Sequence, residues 1–196
     1  GEVAEVVVTG SLIRGTPEDA ALPVDVIGAE ELSKQGSPST VDLIKALPAS
    51  SGVLGDSNQF DGSTGGTEGI GTANLRGLGA ARTLVLLNGR RLSPSSALSG
   101  AVDTNSIPAG AIGRIEVLKD GAAATYGSEA IGGVINFIAP TNFQGLSTNA
   151  YYNYIDGSDG DWGGGAKWGW SNDRANIFIS ANYAHRSKLR FLEERQ

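Results

Sequence analysis

The sequence predicts an α+β fold: a small mixed-sheet domain followed by antiparallel strands of a transmembrane β-barrel that is incomplete within the chain. Three observations predict it. Glycine supplies 29 of the 196 residues, about double the usual share, which suits turns, bulges and tightly packed strands and argues against an all-helical fold. Up to Pro140, short apolar runs alternate with glycine-marked turns and two short helical patterns. Beyond Pro140 the texture changes to strands of about ten residues with strict apolar/polar alternation and aromatic ends.

Residues 1–22 read as a flexible arm: Val6 to Thr9 is a short β-prone run, and Gly10, Gly15 and Pro17 break the chain after it. Val24 to Ile27 reads as a strand, and Ala29 to Gln35 as a short helix stopped at Gly36. Ser39 and Asp42 have capping-box spacing, and Val41, Ile44 and Leu47 form one apolar face ahead of Pro48. Residues 50–72 are a long loop rich in Gly, Ser and Thr, of a length that marks functional or mobile segments. Thr83 to Leu87 is an apolar strand buried on both faces, returned through an Asn88-Gly89 type I′ hairpin into Arg90, Arg91 and Leu92. Residues 93–102 form a Ser-rich loop, and Ser106 to Pro108 a short helical turn.

Arg114 to Leu118 alternates, with Ile115 and Val117 on one face and Arg114 and Glu116 on the other. A small-residue turn carrying Tyr126 and Gly127 comes next, and the Gly132-Gly133 pair opens the last strand of this unit, Val134 to Ile138. In the tail, Leu146, Thr148, Ala150, Tyr152 and Tyr154 share one strand face. Trp162, Gly164, Ala166, Trp168 and Trp170 share the second, and Ala175, Ile177, Ile179, Ala181 and Tyr183 the third. At ~3.3 Å per residue and ~40° tilt, each strand covers roughly 25 Å, the height of an outer-membrane apolar band, with the apolar face outward. Phe178 is the exception on the polar, inward face.

Composition excludes several functions. Net charge is −6 with no basic run, against nucleic-acid binding. There are no cysteines, hence no disulfides and no thiolate metal sites. No stretch reaches the ~18–20 apolar residues of a spanning helix, so a membrane role falls to strands. The run Gly77 to Arg82 starts like a dinucleotide fingerprint but lacks its third glycine and precedes a strand. Asp156, Asp159 and Asp161 do not have EF-hand spacing, and Lys167 stands where the loop's glutamate belongs. His185 is the one histidine, with no nucleophile elbow in the chain. No catalytic residues and no cofactor are expected.

An ordered set of segments runs from Pro23 to Ile138: Pro23 to Ile27 with Ala29 to Leu32, Asn74 to Leu78, Thr83 to Arg90, Ile107-Pro108, Arg114 to Leu118, and Tyr126-Gly127 through Ile138. Together they resemble the plug domain of TonB-dependent outer-membrane receptors. The resemblance implies an arm with a TonB box (1–22), a plug (23–140) that fills a barrel of about 22 strands, and the first strands of that barrel (141–196). Three strands cannot close around a plug, so the chain is expected to be part of a longer receptor; its alternative is a stand-alone plug-like binding module of the envelope.

The same resemblance implies energy-dependent uptake of an extracellular small molecule, oligosaccharide or peptide across the outer membrane of a Gram-negative bacterium. TonB is the implied periplasmic partner, pairing as a β-strand with Glu5, Val6, Val7, Val8 and Thr9, which alternatively form the first plug strand. Arg76 and Arg114 match two plug arginines that meet barrel glutamates, a role suited to a permanently charged, bidentate guanidinium. Loops 50–72 and 92–102 match apices that face the ligand, offering Asn58, Gln59, Asp61, Arg91 and Ser95 as hydrogen-bonding groups. Residues 156–160 are then an extracellular loop and 171–174 a periplasmic turn.

Overall fold

The computed structural model describes residues 24–28, 31, 39–53, 70–95, 100–141, 143–154, 159–172, 175–185 and 187. Strand β1 (Val24–Gly28), helix α1 (Thr40–Lys45), β2 (Thr83–Leu87), β3 (Arg90–Arg91), β4 (Arg114–Leu118), helix α2 (Ala122–Tyr126) and β5 (Gly133–Ile138) build the first unit. Strands β6 (Gly145–Asn153), β7 (Asp161–Ser171) and β8 (Asn176–His185) build the second.

The first unit is a five-stranded mixed sheet in the order β1-β4-β5-β2-β3. β2 and β5 are parallel; the other neighbours are antiparallel. The hydrophobic pattern of the strands explains why this sheet is covered on both faces. Val85, Ile115, Val117, Ile135 and Phe137 join Leu43 and Ile44 of α1, and Leu47 just after it, with Leu75, Ile107 and Ile112 in the main core. On the opposite face Leu84, Leu86, Leu118 and Val134 close over Ala122 and Ala130. Phe137, Ile135, Ile115, Ile44 and Leu75 are fully excluded from solvent; burying each such side chain contributes roughly 1.5–3 kcal/mol.

Local chemistry sets the element ends. Ser39 caps α1: its Oγ accepts from the Asp42 amide at 3.2 Å, and the Asp42 carboxylate accepts from the Ser39 amide at 3.2 Å. Asn88 (φ 50°) and Gly89 (φ 73°) give the left-handed pair that a type I′ hairpin needs. The expected turn after β4 is in part helical: Ala122 to Tyr126 coil between the left-handed Gly121 and Gly127. Near Pro108 the chain makes two 3-10 turns, Thr104–Ser106 and Ala109–Ala111, with Pro108 capping the second. Of the expected helix 29–35, only Glu31, which is helical, lies among the described residues.

The second unit is a three-stranded antiparallel sheet with β7 in the middle. Its register aligns Leu146, Trp168 and Ile179 in one outward row and Tyr152, Trp162 and His185 in another. Leu146, Tyr152, Tyr154, Trp162, Trp168, Trp170, Ile177, Ile179 and Tyr183 are all exposed. Between the two aromatic ends the same face carries Thr148, Ala150, Gly164, Ala166 and Ala181. Trp162 and Trp170 stand roughly 20 Å apart along the barrel axis at the usual rise and tilt, the separation of two aromatic girdles. Three strands with an apolar outer face and no closure are an incomplete barrel wall, as the alternation predicts.

Candidate functional site

Three groups of contacts hold the mixed sheet together and tie it to the wall. The first fastens the excursion between β4 and β5. Arg76 has a left-handed φ of 58°, a conformation that costs a non-glycine residue about 1–2 kcal/mol. The turn aims its guanidinium back along the sheet: Nη2 donates to the Ile131 carbonyl at 2.8 Å and Nε to the Gly132 carbonyl at 3.2 Å. Nη1 meets Asp120 at 2.9 Å. Both side chains of that ion pair are well exposed, so the carbonyl bonds carry more of the fastening than the charge does. Arg91 does the same from β3, donating to the Tyr126 carbonyl at 2.7 Å and pairing with Glu129.

The second group is a polar row crossing the sheet. The registers place Val26, Glu116, Asn136, Leu86 and Arg91 side by side on one face. Glu116 is buried and Asn136 fully so. Arg114 Nε donates to Glu116 Oε1 at 2.9 Å, and Asn136 Nδ2 donates to Oε2 at 3.3 Å. The Asn136 carbonyl oxygen accepts from the Gly89 amide at 2.9 Å, which ties the row to the hairpin. Burying a carboxylate needs such partners, since an unpaired one costs several kcal/mol. Tyr126 sits over this row. Burial pushes its phenol above the ordinary value of 10.0; the Arg91 guanidinium opposes that rise and the Glu116 charge adds to it.

The third group joins the sheet to the wall. The turn Ala109–Ala111 lies against β7 and β8; a Cβ on Gly110 would stand 3.4 Å from Asn182 Oδ1, on the inward side of β8. Asn176 donates to the Thr141 carbonyl, and Gln144 Nε2 to the Ser171 carbonyl at 3.2 Å. Phe143 packs edge-on against Phe178, ring centres 5.9 Å apart, beneath Lys167 at 5.2 Å. A side chain on Gly169 would run into the Phe143 backbone, so the glycine makes room for this crossing. Phe178, anomalous on a polar face by sequence, is the seat of Phe143.

The expected site residues fall in different parts of the molecule. Glu5, Val6, Val7, Val8, Thr9, Asn58, Gln59 and Asp61 lie outside the described residues. Ser95 is half-buried and its amide donates to the Ala101 carbonyl at 2.9 Å. Arg91 holds Tyr126 and Glu129 within the same unit. Arg76 and Arg114 are at opposite ends of the sheet, Arg76 bonded beside the start of β5 and Arg114 paired opposite its last residue, Ile138. Phe143, Glu116 and Asn136 join the site only in three dimensions. Glu116 and Asn136 have partners 20 or more residues away in sequence, where no local pattern reports them.

Known proteins share this geometry. A family model for the TonB-dependent Receptor Plug Domain matches residues 16–134. A mutant ferric enterobactin receptor PfeA from Pseudomonas aeruginosa, in complex with enterobactin, is similar with a TM-score of 0.61 at 23% identity, over 84% of this chain and 25% of that one. The siderophore receptor PirA from Acinetobacter baumannii gives 0.57 at 26%, over 82% and 24%. The ferric citrate transporter FecA, unliganded, gives 0.63 at 21%, over 84% and 26%. The chain thus spans about a quarter of the length of these receptors. The family match covers more than half of the chain, the structural matches extend over most of it, and the protein belongs to the TonB-dependent receptor plug family.

Proposed function

We propose that the chain is the N-terminal part of a transporter in the outer membrane of a Gram-negative bacterium, and that its plug gates energy-dependent uptake of an extracellular ligand. Residues 1–22 form the arm, 23–140 the plug and 141–196 the first wall strands. The observation that carries the reading is a compact mixed sheet seated against the inward face of strands whose outward face is apolar and aromatic at both ends. Such a sheet blocks the bore it occupies, so passage requires its displacement. That membrane holds no ATP and no useful ion gradient, so the work arrives mechanically through a periplasmic partner.

Glu5 to Thr9 are the segment we assign to that partner, TonB. Strand pairing uses backbone hydrogen bonds and demands little of the side chains beyond β-propensity. Arg76 and Arg114 are assigned to carboxylates of the remaining wall, beyond Gln196. Asn58, Gln59, Asp61, Arg91 and Ser95 are assigned to ligand-facing apices. The similar receptors are named for ferric enterobactin, ferric citrate and siderophores, so iron chelates head a ligand panel that also holds vitamin-type cofactors, oligosaccharides and peptides.

The test is a Val7→Pro substitution in the full-length receptor. Proline removes a ladder donor and blocks strand pairing. Uptake should be lost while ligand binding to cells is unchanged. Normal uptake by this variant would remove Glu5 to Thr9 from the mechanism.

A further inference from the structure

Two long excursions interrupt the first unit, residues 50–72 ahead of β2 and residues 92–102 after β3. Their described ends are pinned. Where the first departs, Ser50 bridges Leu75 and the Ser51 amide donates to the Asn74 carbonyl at 3.0 Å. Across the base of the second, the Ser95 amide donates to the Ala101 carbonyl at 2.9 Å. The ends by which the chain returns meet each other. The Thr104 amide donates to the Gly71 carbonyl at 2.8 Å, and the Gly71 amide donates to Asp103 Oδ1 at 3.2 Å. The same Oδ1 accepts from the Asn105 amide at 3.0 Å and so caps the turn Thr104–Ser106. One carboxylate oxygen thus fastens the return of the first excursion to the return of the second.

The surroundings are shaped to this contact. Gly71, Thr72, Ala73, Ala101, Val102 and Thr104 are buried, so water is a poor substitute for the Asp103 bond to Gly71. Helix α1 closes the joint from one side. A Cβ on Gly71 would run into Val41 Cγ2, and the glycine lets the chain lie against the helix. Thr40 Oγ1 donates to the Ile107 carbonyl at 2.5 Å and ties α1 to the residue that follows the capped turn. The acceptor at the centre is charged, which makes its bonds to the two amides stronger than carbonyl bonds of the same length.

We propose that Asp103 is a positioning residue that couples the two excursions, so that their ligand-facing apices are ordered together. The proposal rests on the assignment of loops 50–72 and 92–102 to the ligand. Each loop is long and has conformational entropy to lose when it is held. With the return ends joined, a ligand that orders one loop lowers the cost of ordering the other, and the effect runs equally in both directions. The receptor then favours ligands that span both apices over fragments that touch one.

The experiment is native-state hydrogen exchange on the full-length receptor without ligand. It is read at Ser51 and Ser95, whose amides make no bond to Asp103, and at Val134 to Phe137 of β5 as a folding control. Asp103→Ala should speed exchange at both serines by about tenfold or more while β5 keeps its protection. Asp103→Asn, whose amide oxygen accepts the same bonds, should stay within about threefold of wild type. Asp103→Ser keeps a cap for the turn with a shorter reach, and replaces Asp103→Ala if that variant loses protection in β5. A second arm enters from the other loop. Gly100 has φ of 99° and open space around an added Cβ, so Gly100→Ala loads that loop with backbone strain and no clash. Ser51 should then exchange about threefold faster or more, and Gly100→Ala should add nothing at Ser51 once Asp103→Ala is in the same chain. The coupling is overturned by a change confined to Gly71, Thr104 and Asn105, by a response in one loop alone, by Asp103→Asn behaving as Asp103→Ala, or by a Ser51 amide that ignores Gly100→Ala. Any of these leaves the ligand-facing assignment standing, because no ligand enters the measurement.

Discussion

Gly133→Ala is the sharpest test of how the plug sheet is packed. Gly133 opens β5 with φ of 130°, a backbone conformation that L side chains rarely adopt. Forcing a Cβ there costs about 1–3 kcal/mol in backbone strain. The Cβ would also stand 2.7 Å from the Leu118 carbonyl oxygen and 2.7 Å from Leu75 Cδ1. The first neighbour is backbone of a central strand and the second belongs to a side chain fully buried in the core. Neither yields cheaply, and overpacking of this kind adds about 1–3 kcal/mol. The sum, about 2–6 kcal/mol, is a large share of the 5–15 kcal/mol that holds an ordinary domain folded.

Two companion variants separate the contributions. Gly127→Ala has a left-handed φ of 86° but open space around the added atom, so it meets the strain alone, about 1–3 kcal/mol. Gly28→Ala meets neither and should stay within about 0.5 kcal/mol of wild type. The assay is native-state hydrogen exchange of the Val134 to Phe137 amides in the full-length receptor, which reads the opening free energy of β5 directly. A loss of about 2 kcal/mol appears as roughly thirtyfold faster exchange. If Gly133→Ala exchanges no faster than Gly127→Ala, the close approach of β5 to Leu118 and Leu75 is wrong.

Four further outcomes are expected. Ser39→Ala removes one half of the α1 capping box and should cost about 1 kcal/mol by the same exchange measurement on α1, with Asp42→Ala milder. Tyr126→Phe should flatten the alkaline loss of stability. A phenol whose folded pKa is raised contributes no penalty below its ordinary 10.0 and costs stability as pH climbs from there through the folded value, so the stability difference between wild type and variant should be constant below that ordinary value and change only above it. Arg114→Ala leaves the buried Glu116 to the Asn136 amide; loss of the half-exposed pair should cost about 1–3 kcal/mol, and Arg114→Ala/Glu116→Gln should recover part of it in a double-mutant cycle. Ala166→Lys, in the middle of the outward face, should lower barrel stability by about 2–4 kcal/mol in a membrane-folding titration.

Much of the fold was legible because its signals are local. Thr83 to Leu87 and Arg114 to Leu118 are strands at the predicted bounds, and the Asn-Gly turn between β2 and β3 has the dihedral signs its sequence demands. The tail was legible for the same reason: alternation within a single strand fixes which side faces lipid. Helix α2 was not legible, because its five residues lie between two left-handed glycines that read as turn. The burial of Glu116 was hidden as well. A charge in an alternating strand suggests a solvated face, and only the long-range pairing with Asn136 and the cover of Tyr126 make it an interior residue. Strand order, and with it the end of the sheet where the arm enters, depends on pairings across about 90 residues between β1 and β4 that no window of sequence contains. The attachments that Arg76 and Arg91 make within the sheet unit were not legible, because both arginines spend donors on main-chain oxygens, which no side-chain pattern marks.

That choice of acceptor has an evolutionary consequence. Every residue type offers a carbonyl, so the stretch from Gly121 to Ile131 can, apart from Tyr126 and Glu129, exchange outward side chains without losing the main-chain part of its moorings. Drift and adaptation can rewrite this surface freely, while the two guanidinium groups that grip it cannot be traded for lysine without losing the forked geometry that reaches neighbouring oxygens at once.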